Sequence, residues 1–180
     1  MTEWCEMVNG SDYTMESAFV MADVMMQDIK ELDVVAWQYW VGVANGGYHD
    51  GLIYVSTSAK ACRPAKRLWV MGNFSKFIRP GYVRVETSNN YKDIFQMETL
   101  GFTGVNTEGQ EELVIVAINR EEEKTIQLKQ ADAGKYNYYE VYTTNENRDL
   151  ELTASGVYDS QYVPFTIEAE SVVTIRLTNK

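Results

Sequence analysis

Glu3 stands between Thr2 and Trp4 just ahead of a polar stretch, and Trp37, Gln38, Tyr39 and Trp40 run into a glycine-rich segment. A carboxylate at one strand end and an aromatic cluster at the next would equip a site that cleaves sugars. The carboxylate attacks or stabilises an oxocarbenium-like centre. Aromatic faces stack on the apolar faces of sugars while their polar edges reach hydroxyls. Strand alternation puts Gln38 on the same side as Trp40, able to point into a site, and turns Trp37 and Tyr39 toward packing. Tyr48 and His49, in the glycine-rich segment, either reach substrate or anchor their loop. Each residue also has a plainer reading: Glu3 as a solvated surface acid, Trp40 as core.

Other chemistries find little support. His49 is the only histidine and Cys5 and Cys62 are the only cysteines. A structural zinc site needs clustered ligands, so no metal is expected. A Ser-His-Asp or Cys-His system would depend on His49, which has no nucleophile elbow near it. The two cysteines are read as free thiols rather than a disulfide. Net charge is −10, and the basic clusters from Lys60 to Arg67 and from Lys76 to Arg84 are interleaved with apolar residues. Phosphate binding needs concentrated positive charge, so no nucleic-acid partner is expected. No apolar run reaches the ~20 residues that cross a bilayer, so no membrane association is expected.

Two halves must position the candidate residues. Residues 1–80 read as α/β and residues 81–180 as all-β. Met15, Ala18, Phe19, Ala22, Met25, Met26, Ile29 and Leu32 recur at helical spacing, predicting an amphipathic helix over 14–31 with Asp12 or Thr14 as N-cap. Val34 to Trp40, β-branched and aromatic, suits a parallel strand buried on both faces. After the loop containing Gly46 and Gly47 come a short apolar piece, Leu52–Val55, and a helix predicted from Pro64 to Phe77. Pro64 would occupy that helix's first turn, and Pro80-Gly81 would end it. From Tyr82 the pattern alternates. Strands are predicted over 82–86, 94–100, 113–119, 125–128, 136–143, 150–153 and 172–177, separated by Asn, Gly, Asp and Glu. Seven such strands fit an antiparallel sandwich. The first half reads as the last two β/α units of a (β/α)8 barrel, in which catalytic residues sit at the C-terminal ends of strands.

Four stretches add to this reading: Met1-Thr2-Glu3-Trp4, Trp37-Gln38-Tyr39-Trp40, Asp50-Gly51-Leu52-Ile53-Tyr54 and, most specific of all, the run from Lys66 to Val85 containing Gly72-Asn73-Phe74-Ser75 and Arg79-Pro80-Gly81-Tyr82. In this order they resemble glycoside hydrolase family 30. The resemblance implies a (β/α)8 barrel fused to a side β-sandwich and a secreted, retaining β-glycosidase, monomeric at full length. It implies a poly- or oligosaccharide substrate and no cofactor. It makes Glu3 the nucleophile at the end of strand seven and Trp40 part of the aromatic wall around the attacked sugar. Gln38, Tyr48 and His49 are then candidates for further substrate contacts. The specific motifs stop near Val85, and the sandwich is matched by architecture only.

Two departures accompany the resemblance. The family's general acid/base, in an Asn-Glu motif at strand four, has no counterpart in this sequence, nor do the first six β/α units. The sequence therefore reads as a C-terminal portion, truncated or mis-started. Nor do the arginine and tyrosine pairs of glucuronoxylan-cleaving members have a match, and Ser56–Ala65 falls outside every family motif. The rival reading is a non-catalytic carbohydrate-binding β-sandwich, which accounts for residues 81–180 but not for Glu3, Trp40 and the run ending at Tyr82. With one carboxylate of the pair and two β/α units, this 180-residue chain by itself should not cleave an aryl glycoside. Loss of one member of such a catalytic pair costs orders of magnitude. A spectrophotometric assay of the purified chain checks this, and clear turnover would defeat it.

Overall fold

The computed structural model describes residues 3–91, 96–131, 134–160 and 162–180. The chain forms two compact units, Met1–Met71 and Gly72–Lys180.

In the first unit, β1 (Glu6–Asn9) is followed by α1 (Met15–Glu31). Thr14 is the N-cap: its extended backbone precedes the helix and its hydroxyl accepts from the Glu16 N–H. Asp12 supports the cap from outside, one carboxylate oxygen accepting the Thr14 N–H at 3.0 Å. The buried face of α1 carries Met15, Ala18, Met21, Ala22, Met25 and Met26, together with the polar Ser17 and Asp28. Four short strands follow: β2 (Val43–Ala44), β3 (Tyr48–His49), β4 (Ile53–Ser56) and β5 (Ala61–Pro64). β2 runs parallel to β4, β4 antiparallel to β5, and β3 antiparallel to β1.

Two expectations for this unit are corrected. Val34–Trp40 is not a continuous strand. Among the described residues it narrows to one parallel bridge between Tyr39 and Trp4, whereas a buried parallel strand needs a ladder on both edges. The second helix, α2, is Lys66–Ser75. Pro64 closes β5 instead of opening α2, standing opposite Ile53 in the ladder. The division between the two units falls within α2.

The second unit is antiparallel β. Its strands are β6 (Val83–Val85), β7 (Glu98–Val105), β8 (Glu111–Asn119), β9 (Lys124–Lys129), β10 (Tyr138–Asn145), β11 (Arg148–Val157), β12 (Tyr162–Ile167) and β13 (Ser171–Thr178). Six form one sheet in the order β11-β10-β13-β8-β7-β6, and β12 pairs with β9 as a ribbon. Ile115, Ala117, Val141, Val173, Ile175 and Leu177 from one face of the sheet share a core with Val163, Phe165 and Ile167 of the ribbon. The two layers make the expected sandwich. β12 is a strand that the alternation reading missed. Its sequence alternates cleanly, with Val163, Phe165 and Ile167 buried and Tyr162, Pro164 and Thr166 exposed. Pro164 is tolerated because, among the described residues, β12 pairs on one side only, with β9. The strand predicted from Ile94 begins, among the described residues, at Glu98; Ile94 itself lies outside them.

The opposite face of the six-stranded sheet carries polar ties. Thr174 donates through its hydroxyl to the Asn73 carbonyl at 2.7 Å and accepts from the Asn73 amide at 3.0 Å. Phe77 packs on Tyr142 with ring centroids 4.7 Å apart. Arg176 binds Glu112 and Glu140 at 2.6 and 2.7 Å, and Tyr82 donates to Glu112. This explains part of the specificity of the run from Lys66 to Val85: Asn73, Phe77 and Tyr82 each have a fixed partner on the sheet.

Candidate active site

A single parallel contact organises the candidate residues. The Trp4 N–H donates to the Gln38 carbonyl at 3.1 Å, and the Trp40 N–H donates to the Trp4 carbonyl at 2.8 Å. This is the parallel pattern, in which one residue bonds to the two that flank its partner. Its register sets Glu3 beside Gln38 and Cys5 beside Trp40, all on one side, with Trp4, Trp37 and Tyr39 on the other. The burial agrees. Glu3, Gln38 and Trp40 are exposed, Trp40 at 52%. Trp4 lies 5.9 Å from Trp37 and 6.0 Å from Tyr39, centroid to centroid. The Trp37 indole N–H donates to Asp28 of α1 at 2.8 Å. The aromatic side therefore packs toward the helix and the carboxylate side is left open. The Trp40–Val41 peptide is cis.

Tyr48 and His49 approach from the following loop. β3 pairs with β1 so that His49 faces Glu6 and Tyr48 faces Asn9. The His49 Nδ1 lies 3.2 Å from a Glu6 carboxylate oxygen. A carboxylate only accepts, so Nδ1 carries the proton of this contact. Tyr48 is 42% exposed, whereas His49 is partly buried. Its ring is occupied by Glu6 and its carbonyl accepts from the Tyr39 hydroxyl at 2.9 Å. Of the two loop candidates, Tyr48 is the one presented outward, and His49 behaves as an anchor.

Beneath these residues is a network absent from the sequence-based expectations. Arg67, on the first turn of α2, is wholly buried. Its guanidinium donates to the Ser17 hydroxyl, the Tyr54 hydroxyl at 2.6 Å, the Gly51 carbonyl at 3.0 Å and the Asp12 carbonyl at 3.2 Å. Ser17 passes the chain on to Glu6 at 2.5 Å. A buried guanidinium needs partners on this scale, because desolvating a charge without them is prohibitive. Only position in a motif pointed to Arg67. Nothing in its type distinguished it from a surface arginine, and its partners lie up to 55 positions away. Two buried polar atoms, Arg67 Nε and Asp50 Oδ1, have no partner among the described residues. No group of three or more His, Cys, Asp or Glu residues suited to a metal ion occurs among the described residues. No helix there is long and apolar enough to cross a membrane.

A concavity on the sandwich is lined by Pro80, Tyr82, Val83, Gly104 and Glu111 and has a volume of about 360 Å³. A side chain at Gly104 would clash with the Tyr82 ring. One face of the ring lies against the strand at Gly104, and its hydroxyl donates to Glu112.

Comparison with solved structures bears on this arrangement. No protein-family profile matches the chain. An endoxylanase of glycoside hydrolase family 30 from Clostridium papyrosolvens C71 superimposes with a TM-score of 0.78 at 25% identity, over 99% of this chain and 41% of that one. The chain has the fold of the C-terminal part of glycoside hydrolase family 30. The catalytic domain of the family 30 xylanase C from Talaromyces cellulolyticus gives 0.77 at 24% identity, over 99% of this chain and 40% of that one. A conserved exported protein from Bacteroides fragilis gives 0.75 at 24% identity, over 97% and 38%. The chain thus spans about two fifths of the length of the family 30 structures it matches.

The thiols provide a test of the local electrostatics. Burial, then the carboxylates of Asp50 and Glu3, raise Cys5 above its ordinary pKa, whereas Cys62 is exposed. A raised pKa leaves less thiolate at any pH below it, and the thiolate is the reactive form. At pH near 8, iodoacetamide should modify Cys62 well before Cys5, with the Cys5 rate still climbing at higher pH. Peptide mass mapping over time checks this; equal rates would mean that Glu3 and Asp50 do not flank Cys5.

Proposed function

We propose that this chain is the nucleophile-bearing portion of a retaining β-glycosidase of family 30, acting on a polysaccharide of the xylan, β-1,6-glucan or β-1,6-galactan class. The observation that carries the reading is the Trp4–Tyr39 bridge, whose register sets Glu3, Gln38 and Trp40 on one open side. Glu3 attacks the anomeric carbon and forms a glycosyl-enzyme intermediate. A second carboxylic acid, supplied by the remainder of the barrel, protonates the leaving oxygen and then activates water. In retaining enzymes the two carboxyl groups lie ~5 to 5.5 Å apart, so one rigid barrel must hold both. Trp40 stacks on the attacked sugar, Gln38 reaches its hydroxyls, and Tyr48 contacts the sugar chain from the loop. By the same resemblance the enzyme is secreted, and no cofactor takes part.

Glu6 is the other carboxylate near the bridge, and its environment argues for the assignment to Glu3. Glu6 already accepts from Ser17 and His49 through one oxygen. Its carboxylate thereby ties β1 to α1 and to β3, whereas Glu3 lies on the exposed side of the bridge with neither tie. A carbohydrate-binding sandwich without catalysis would leave this whole constellation unexplained.

In the full-length protein, Glu3→Gln keeps size and removes charge. It should lower kcat by about a thousandfold or more while leaving the fold and ligand binding intact. Azide should then partly restore cleavage of a substrate with a good leaving group, giving the inverted glycosyl azide by NMR. Near-normal activity of Glu3→Gln would sink the assignment. Trp40→Ala should weaken binding or turnover, since stacking positions the sugar but makes no bond. Product stereochemistry, followed by NMR, should be unchanged, and a switch to inversion would refute that role.

A further inference from the structure

Tyr48 is 42% exposed, on a two-residue strand that, among the described residues, pairs with β1 alone. Backbone pairing that short does not fix a side chain in place. Besides the neighbouring anchor at His49, the tie on the Tyr48 backbone itself is a hydroxyl beneath it. The Tyr54 hydroxyl donates to the Tyr48 carbonyl at 2.8 Å, accepts from Arg67 Nη2 at 2.6 Å and accepts from the Gly51 N–H at 3.3 Å. A phenol has one proton and two lone pairs. Both lone pairs here face donors that have no acceptor capacity, so the proton has one destination, the carbonyl of Tyr48.

The ring that carries this hydroxyl is itself held. Tyr54 is 4% exposed. Tyr13 packs edge-on against it with centroids 5.3 Å apart, and the Arg63 guanidinium lies 3.9 Å above the Tyr13 ring. Gly51 leaves the space the Tyr54 ring occupies: a Cβ there would stand 2.9 Å from a Tyr54 ring carbon and 3.0 Å from the Ala44 Cβ. Burial raises the phenol above its ordinary pKa, against the opposing pull of Arg67, so it keeps its proton and goes on donating as the pH rises.

We propose that Tyr54 is a positioning residue for the sugar chain: through Tyr48 it sets the loop arm of the substrate site, with Arg67 fixing the direction of its hydroxyl. This rests on the reading that Tyr48 contacts substrate. It goes further in assigning the precision of that contact to a buried hydroxyl that never touches sugar.

The test uses the full-length protein and whichever of xylan, β-1,6-glucan and β-1,6-galactan it cleaves. Tyr54→Phe removes only the oxygen. Hydrogen exchange by mass spectrometry should show faster exchange over 46–51, and KM should rise about tenfold with kcat changed less than about twofold, the size expected for one lost hydrogen bond in a buried network. The double variant Tyr48→Ala/Tyr54→Phe should be no worse than Tyr48→Ala alone, because the second residue acts through the first. Gly51→Ala reaches the same hydroxyl by displacing the ring and should give the same direction in both readouts, which keeps the test open should Tyr54→Phe fail to fold. Unchanged exchange over 46–51, an equal fall in kcat, or additive effects in the double variant would each overturn the role of Tyr54. Tyr48→Ala with normal KM would instead defeat the reading of Tyr48 as a substrate contact, whatever the exchange data show.

Discussion

A fully buried guanidinium is the constraint around which the first unit is arranged. Removing Arg67 from water costs several kcal/mol even after relaxation, and the chain must return that through hydrogen bonds of good geometry. The partners are drawn from four places: the segment before α1 (Asp12), the first turn of α1 (Ser17), the loop at Gly51 and strand β4 (Tyr54). None of these is a neighbour of Arg67 in sequence. Satisfying one charge therefore fixes the relative placement of α1, the loop from Asn45 to Gly51 and the start of α2. Two of the partners act again outward. Ser17 donates to Glu6, and Tyr54 donates to the Tyr48 carbonyl, so the demand of the buried charge is transmitted to both β1 and β3.

The open side of the site is set by a different principle. Along an extended chain alternate residues face opposite ways, so turning Trp37 and Tyr39 inward leaves Gln38 and Trp40 outward. The inward pair is decisive because it is specified twice: by ring contacts with Trp4 and by polar ties, from the Trp37 indole to Asp28 and from the Tyr39 hydroxyl to the His49 carbonyl. Burial raises the Tyr39 phenol well above its ordinary range, keeping it a donor. The residues offered for chemistry are thus oriented by residues that do none.

Much of this was legible in the residues. The spacing from Met15 to Ile29 gave α1, and the alternation from Tyr82 onward gave the sandwich, because both patterns are enforced locally by one buried face. The outward placement of Gln38 and Trp40 was legible for the same reason. The continuous strand over Val34–Trp40 was not there, since composition reports the burial of a segment but not how many neighbours pair with it. β12 was missed although Val163, Phe165 and Ile167 alternate with exposed residues, because a six-residue alternation is a short signal. The Arg67 network was illegible in principle. A buried arginine looks like an exposed one until its partners are in space, and Glu6 meets His49 across 43 positions.

Glu3 and Glu6 show how far environment rather than residue type decides a role. Two like carboxylates near one site take different parts when their surroundings differ. Glu6, with 19% of its side chain exposed, receives two donors on one oxygen, and each is held in turn, Ser17 by Arg67 and His49 through its carbonyl by Tyr39. Through that one oxygen Glu6 ties β1 to α1 and to β3. Glu3 lies three residues earlier, on the exposed side of the Trp4 bridge, where a change in its charge disturbs none of those ties. An acid that forms and breaks a bond in each cycle belongs where the scaffold does not depend on it, and an acid that braces the scaffold belongs where substrate does not compete for it. In the function proposed above, the network built on Arg67 divides the two glutamates along that line.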